Sequence, residues 1–334
     1  MTNVTSERTA DQPTPDQSAS DATPFLTVAI CTRNRASFLE KAVQSVVPQL
    51  ASDCEILIVD NASTDNTPQL VAGFAAADPR ITVHTEPKLG LSVARNAALT
   101  RARGEYVIFL DDDAVAEPDW LTAYRQFLAT PTANQIAVVG GVVICDYEKP
   151  PPKWYAAAAI GLDLGIKARR LPDSGGLWGC NIAYRRDAAI QVGKFDDRFG
   201  HKGATVSAHE ESDLNDRLQK AGYEIWWQPC ARIKHSVSAE RLRFKWQLRN
   251  QFSQGRSSAL LRLRRMTRGR DRWLFAVGRF LAAPFHCAVN VMLALGSFPF
   301  QNGRVAAHAL MRCARILGYA TQLAVEALYL FAVR

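Results

Sequence analysis

Along the first third of the chain, short apolar runs alternate with longer segments of helical periodicity. Phe25–Ile30 (FLTVAI), Glu55–Asp60 (EILIVD), Ile81–Thr85 (ITVHT) and Tyr106–Leu110 (YVIFL) read as strands. The nearly continuous apolar character of three of them is the pattern of strands buried on both faces. Between them the periodicity predicts a helix over about 36–47, one starting near Asn66 and one running to about Arg103. Turn and cap formers separate the two kinds of segment: Cys31-Thr32-Arg33-Asn34-Arg35, Asn61–Asp65 and Leu89–Ser92. This alternation predicts an α/β fold, a mostly parallel Rossmann-type sheet with helices on both faces. In such sheets ligands bind outside the carboxyl ends of the strands. Asp60, Asp111–Asp113 and the Thr32–Arg35 loop all fall there.

Further on, the pattern predicts a helix over Ala116–Ala129, opened by Glu117-Pro118-Asp119. A strand is expected over Ile136–Ile144. A long variable loop, with prolines at 150–152 and many glycines, is expected over 146–176. Trp178–Arg185 reads as strand and Val206–Ala221 as helix. Tyr223–Gln228 and Ala231–His235 read as two short strands. No internal repeat is evident.

The ends of the chain have other compositions. Residues 1–23 are polar, predict a disordered tail and lack the apolar core of a secretory signal. Residues 241–272 interleave arginines with Leu, Phe and Trp at helix-like spacing. Two long apolar stretches follow, Trp273–Ser297 and Ala306–Val333, both carrying charges, so neither is a clean span of about 20 apolar residues. The expected organisation is therefore a tail (1–23), an α/β domain (24–238) and a helical, basic, apolar extension (239–334).

Charge sharpens that division. The net charge is +8, yet residues 232–334 hold 18 Lys and Arg against three acids, leaving the remainder acidic. A basic, partly apolar segment behind an acidic body points to an anionic surface. Interfacial or re-entrant helices on the cytoplasmic leaflet fit that composition. A soluble helical subdomain, or an element for homodimer formation, is the competing reading. The seven cysteines show no CxxC or zinc spacing and read as reduced thiols of a cytosolic protein.

The chemistry concentrates where apolar runs meet acids. In YVIFLDDDAV, a strand runs into three consecutive carboxylates, which repel one another unless a cation or polar ligand sits among them. Alternate residues of an extended segment project the same way, so Asp111 and Asp113 can face one ligand while Asp112 faces elsewhere. Such oxygen ligands suit Mg2+ or Mn2+ held with substrate phosphates; a solvated acidic turn has the same appearance. Asp60 reads either as a turn or cap residue or as an acceptor for a nucleobase or ribose. HEESDLNDRL places Glu210, Glu211 and Asp213 in the first turn of a helix. Acids there suit the helix dipole, but three exceed what capping needs, and one could act as general base. His235 reads as structural or as a third metal ligand.

Taken together, these blocks resemble glycosyltransferase family 2. TVAICTRNRASFLEKAVQSV, EILIVDNASTDNT, LGLSVARNAALTRARGEYVIFLDDDAVAEPDWL, GCNIAYRRDAAIQVGKFDDRF and HEESDLNDRLQKAGYEIWWQPCARIKH occur in that family's order over about residues 25–236. The resemblance implies the GT-A fold and an inverting, metal-dependent hexosyl transfer from a nucleotide-diphosphate sugar, expectedly a UDP-sugar. The acceptor would be a hydroxyl of a glycan or lipid-linked glycan in surface polysaccharide or glycoconjugate synthesis. It implies Thr32, Arg33 and Asp60 as the base pocket with Arg35 nearby, and Arg95 as a further nucleotide contact. Asp111 resembles the ribose-side acid, and Asp113 the metal ligand, with Asp111 and Asp112 beside the donor. The Gly179-Cys180-Asn181 segment resembles the loop lining donor sugar and acceptor. His235 matches a late histidine that holds metal or diphosphate. The general base falls on Glu211, where family members commonly carry aspartate, so Glu210 and Asp213 stay possible.

Two other classes compete. A nucleotidyltransferase on a related sheet would be expected to carry a Gly-rich basic loop after the first strand, and CTRNR is not Gly-rich. A non-enzymatic nucleic-acid-binding protein would use the basic extension but leaves the carboxylates unexplained. The expected partners are thus a sugar nucleotide, a glycan or lipid-linked acceptor and the inner face of the cytoplasmic membrane, with no nucleic acid.

Overall fold

The computed structural model describes residues 24–130, 135–155, 161–172, 176–200, 208–266, 269–296 and 303–332. The expected tail, residues 1–23, lies outside them, as do parts of the expected 146–176 loop.

Four parallel strands build the first half of the sheet. β1 (Leu26–Thr32), β2 (Cys54–Asp60), β3 (Ile81–Thr85) and β4 (Tyr106–Leu110) stand in the order β3-β2-β1-β4. β2 and β4 are buried at every position, which is why their sequences are apolar runs rather than alternations. Burying each large aliphatic side chain contributes about 1.5–3 kcal/mol. Helices α1 (Ala36–Val46), α2 (Thr67–Ala77) and α3 (Leu91–Arg101) supply the crossovers that parallel strands require. One apolar cluster, with Ile30, Leu39 and Ile58, fills one face of the sheet; another, with Ala94, Leu99 and Phe109, fills the other.

The second half of the sheet is mixed. β9 (Asn181–Arg185) enters antiparallel between β4 and β6 (Ile136–Tyr147), and β10 (Glu224–Val237) lies parallel to β6. The two short strands expected over 223–235 are one long strand with a register shift between Gln228 and Arg232. The helix expected over 116–129 is shorter. Residues Ala114–Ala116 form β5, which pairs antiparallel with β10, and α4 begins only at Trp120 (Trp120–Leu128). Edge pairing took the Ala116 end from the helix. Short strands β7 (Gly161–Leu162) and β8 (Arg169–Arg170) add to β6 and β10 inside the expected loop. α5 (Arg186–Gln191) follows β9, and the acid-rich helix α6 is Glu210–Lys220.

The extension forms three helices, α7 (Phe244–Arg264), α8 (Gly269–Gly296) and α9 (Gly303–Ala332). They share a small core of Ala259, Leu263, Ala276 and Leu323. α7 and α9 cross at glycines. A Cβ on Gly255 would strike the Arg315 carbonyl oxygen, and one on Gly318 would strike that of Phe252. The boundary expected at 238–239 is crossed by strong contacts. Arg264 pairs with Asp213 at 2.7 Å and also with Asp196, and Arg265 pairs with Asp216 at 2.5 Å. Arg241 reaches Asp113.

The glycine crossing makes a stability prediction. Gly318→Leu is expected to pry α9 from α7 and lower stability by about 1–3 kcal/mol, the usual cost of overpacking. Leu317→Ala, at a position half exposed on the same helix, should leave a circular-dichroism melt nearly unchanged.

Candidate active site

The loops after β1, β2 and β4 meet at one cleft of about 510 Å³, lined by Thr32, Arg33, Arg35, Asn61, Gly90, Asp111, Asp112, Asp113 and Arg241, among others. Its loops hold one another in place. The Asn34 N–H donates to Ser63 Oγ at 2.9 Å, and Thr64 N–H donates to Asn34 Oδ1 at 2.7 Å. Asn34 and Ala62 both adopt positive φ, 54° and 55°. Local backbone strain of this kind persists where surrounding contacts over-determine it. The Asp60 side chain is buried and accepts from Ser63 N–H at 3.1 Å, the turn role that its position allowed.

The three aspartates have three different environments. Asp112 is buried, accepts from Thr32 Oγ1 at 2.8 Å and pairs with Arg35 at 3.1 Å. Burial pushes its carboxyl up to about 7; Arg35 opposes that, and the Asp113 and Asp111 charges add to it. Asp113 meets two guanidiniums and an imidazole: Arg35 at 2.7 Å, Arg241 at 3.2 Å and His235 Nε2 at 3.2 Å. Burial alone would raise its pKa, but the His235 hydrogen bond and charge, with both arginines, hold it well below the usual carboxylate range. Asp111 is a third exposed and pairs with Arg95 at 3.0 Å.

Arg95 does not line the cleft as a nucleotide contact. Its side chain is 3% exposed, and its guanidinium is spent on Asp111, on Glu210 at 3.0 Å and on the Gly179 carbonyl at 3.2 Å. It also lies against the Phe109 and Phe195 rings, 5.7 Å and 5.8 Å from their centroids. A Cβ on Gly179 would come within 2.7 Å of the guanidinium, so glycine is what lets the loop close over it. Arg95 therefore ties the carboxylates at the end of β4 to the first turn of α6.

The α6 acids separate in the same way. Glu210 is buried against Arg95 through Oε1, its Oε2 is buried with no partner among the described residues, and burial, with the Glu211 charge, raises its pKa. Asp213 is paired with Arg217 at 2.8 Å and with Arg264 on the far side, which removes it from the cleft. Glu211 accepts from Gly179 N–H through Oε1 at 3.2 Å, while its Oε2 is buried with no partner among the described residues.

Asn181 has no capacity left for a sugar. Its Oδ1 accepts from Trp120 Nε1 at 2.8 Å and Tyr124 OH at 2.9 Å, and its Nδ2 donates to the Val142 and Ala231 carbonyls, each at 2.9 Å. It is wholly buried and joins α4, β6, β9 and β10.

A divalent cation fits the donors here. Ligand atoms of Asp111, His235 and Cys180 lie within 4.8 Å of one another. His235 Nδ1 is buried without a partner among the described residues. Burial disfavours the charged imidazole, but the Asp113 hydrogen bond and charge outweigh it and raise the His235 pKa. Carboxylate oxygen with imidazole nitrogen is a donor set that Mn2+ accepts. Two residues of the cleft escaped the sequence reading. Asn61 clamps the next loop, donating to the Glu86 and Lys88 carbonyls and accepting from Gly90 N–H. Arg241 is one of many arginines in the extension, and nothing local marks it.

An α/β sheet with its cleft, acids and cation-binding donors at the strand ends is the GT-A arrangement. The same fold appears in a mannosyltransferase from Pyrobaculum calidifontis, solved with GDP-Man and Mn2+, at TM-score 0.59 and 20% identity over 92% of this chain and 88% of that one. The chain belongs to glycosyl transferase family 2, whose profile matches residues 27–193. Its relatives include the glucosyl-dolichyl phosphate glucuronosyltransferase of Haloferax volcanii, 27% identical over 71% of this chain and 77% of that protein. Succinoglycan biosynthesis protein ExoM of Rhizobium meliloti is 27% identical over 89% of this chain and 93% of its own length. The chain is thus a glycosyltransferase whose homologues work in polysaccharide and glycolipid biosynthesis.

Asn181 yields a prediction that separates a structural from a sugar-binding role. Asn181→Ala orphans two buried donors and two buried carbonyls, each costing about 1–3 kcal/mol. It should lower the thermal midpoint by many degrees in a ligand-free melt. A residue that only lined the sugar pocket would leave that melt unchanged.

Proposed function

We propose that this protein is an inverting, metal-dependent glycosyltransferase. It moves a hexose from a nucleotide-diphosphate sugar, a UDP-sugar in the first instance, to a hydroxyl of a glycan or lipid-linked glycan. The observation that carries this reading is the buried, unpartnered Oε2 of Glu211, with Oε1 held by Gly179 N–H, on the α6 turn that Arg95 ties to Asp111. A carboxylate fixed through one oxygen and free at the other is suited to accept a proton from an attacking hydroxyl.

Thr32 and Arg33 line the part of the cleft proposed for the base, with Asp60 shaping the loop beneath. Asp111, Asp113 and His235 would hold Mn2+ or Mg2+. The cation, when bound, supplies neutralisation of charge developing on the leaving diphosphate. Arg95 orients Asp111 and Glu210, so the donor-side and acceptor-side acids keep their spacing. Glu210 also has a buried Oε2 with no partner among the described residues, but its Oε1 is held by the Arg95 guanidinium, whose charge opposes proton uptake; the base role is therefore proposed for Glu211, held by a neutral N–H. The catalytic unit extends past residue 238 to include the turn bearing Arg241 and helix α7.

The protein is further proposed to work at the inner face of the cytoplasmic membrane. Helix Arg270–Gly296 is long and apolar enough to cross a bilayer by length and composition, with mean hydropathy 1.4. It exposes Leu281, Phe285 and Met292 at 69%, 70% and 72%. The same helix carries Arg270, Arg272 and Arg279, positive charge of the kind an interfacial element uses on anionic lipid. Leu281→Glu with Phe285→Glu is expected to abolish flotation with anionic liposomes at low salt while leaving nucleotide binding intact. Unchanged flotation would refute the membrane role of this face, and a shift from dimer to monomer without any liposome binding would favour a dimer contact there.

The reaction itself is tested by a sugar-nucleotide panel with Mn2+, scored for transfer and hydrolysis. Glu211→Gln should lower kcat by roughly two to four decades, the usual contribution of a positioned base, with donor binding little changed. A larger loss at Glu210→Gln, or turnover of no sugar nucleotide by the wild type, would overturn this assignment.

A further inference from the structure

Asp113 Oδ2 accepts from two guanidiniums, Arg35 at 2.7 Å and Arg241 at 3.2 Å. Together the pair carries the charge of one divalent cation, placed on the carboxylate that would have to ligate one. The two arginines differ in what else they hold. Arg35 keeps a second acceptor, Asp112 at 3.1 Å. The Arg241 guanidinium has Asp113 as its acceptor among the described residues. Its side chain is 30% exposed.

Arg241 is also well mounted. It stands on a tight turn directly after β10, with Arg241 N–H donating to the Ser238 carbonyl at 3.0 Å. The buried Gln247 amide donates to the Arg241 carbonyl at 2.7 Å, and Ala239 N–H donates to Glu148 at 2.8 Å. The backbone is therefore fixed while the long side chain can turn about its own torsions. Arg241 lines both the cleft and an adjoining groove of about 400 Å³, so it forms part of the wall between them.

We propose that Arg35 and Arg241 are a resident counter-charge for Asp113 which a divalent cation displaces, and that the released Arg241 then binds the diphosphate of the donor. The proposal rests on the nucleotide-diphosphate sugar reading of the cleft. An arginine fork matches phosphate oxygens with two parallel N–H donors. Cation and diphosphate would then load together. Before the cation enters, Arg241 is held by Asp113; after it enters, a buried carboxylate no longer competes with phosphate for the fork. A residue of the C-terminal extension thereby completes the donor site.

The test is isothermal titration of the full-length protein and of Arg241→Ala and Arg241→Gln, with three kinds of ligand. These are Mn2+ alone, UDP or GDP in saturating Mn2+, and UMP or GMP in saturating Mn2+. Removing the competing guanidinium should tighten binding of Mn2+ alone by several-fold. Removing the phosphate fork should weaken the diphosphates by about tenfold, the value of one charge-assisted contact, and the monophosphates much less. Opposite signs on cation and diphosphate are not what a merely structural residue would give. Thermal melts establish that each variant is folded, and the glutamine variant, neutral but longer and polar, serves if alanine does not fold. Unchanged or weaker Mn2+ binding in a folded variant would overturn the displacement. Equal losses on mono- and diphosphates would overturn the diphosphate contact. Wild-type protein that binds Mn2+ but neither UDP nor GDP would instead refute the donor reading, and with it the second half of the proposal.

Discussion

The structure depends on compensating five carboxylates that converge at one end of the sheet. Asp111, Asp112, Asp113, Glu210 and Glu211 come from two elements far apart in sequence, and Asp112, Asp113 and Glu210 are buried. Left unpaired, such groups would each cost several kcal/mol to bury. Arg95 answers Asp111 and Glu210 together, Arg35 answers Asp112 and Asp113 together, and His235 and Arg241 complete the shell around Asp113. The geometry of the cleft is the geometry of this compensation.

That constraint explains the small residues around it. Gly179 leaves room for the Arg95 guanidinium. Gly141 leaves room for the Asn181 amide, which in turn satisfies a tryptophan, a tyrosine and two strand carbonyls. A satisfied polar network holds one arrangement against many, because each broken member strands a buried partner. The outcome is a rigid floor on which Glu211 keeps a free oxygen.

The C-terminal helices are part of the same system. α7 reaches the catalytic body through Arg264 and Arg265, which pair with acids on α6 and with Asp196, and its entry turn delivers Arg241 to the cleft. An apolar surface on α8 and an arginine that lines the cleft thus sit on one covalently continuous segment.

Much of this was legible in the chain. Runs such as EILIVD and YVIFL specify strands buried on both faces, and acids placed directly after them mark the sheet's carboxyl edge; the parallel half of the fold and the position of the cleft follow. Ordered blocks placed the chain in its family. Local pattern failed where pairing between distant segments decides. Ala114–Ala116 became strand because β10 lies beside it, and the segment over 224–237 became one strand because β6 supports its whole length. The roles of individual acids and amides were undetermined for a related reason. Whether Asn181 or Arg95 faces a ligand, whether Asp213 is free, and whether one arginine among 18 basic residues enters the site all depend on which polar atoms are already satisfied. Residue type and spacing determined what chemistry could gather at the strand ends; only the packed structure decided which groups spend their hydrogen bonds on one another and which keep an atom free, because that accounting is made across contacts between segments far apart in the chain, up to 128 residues for Arg241 and Asp113.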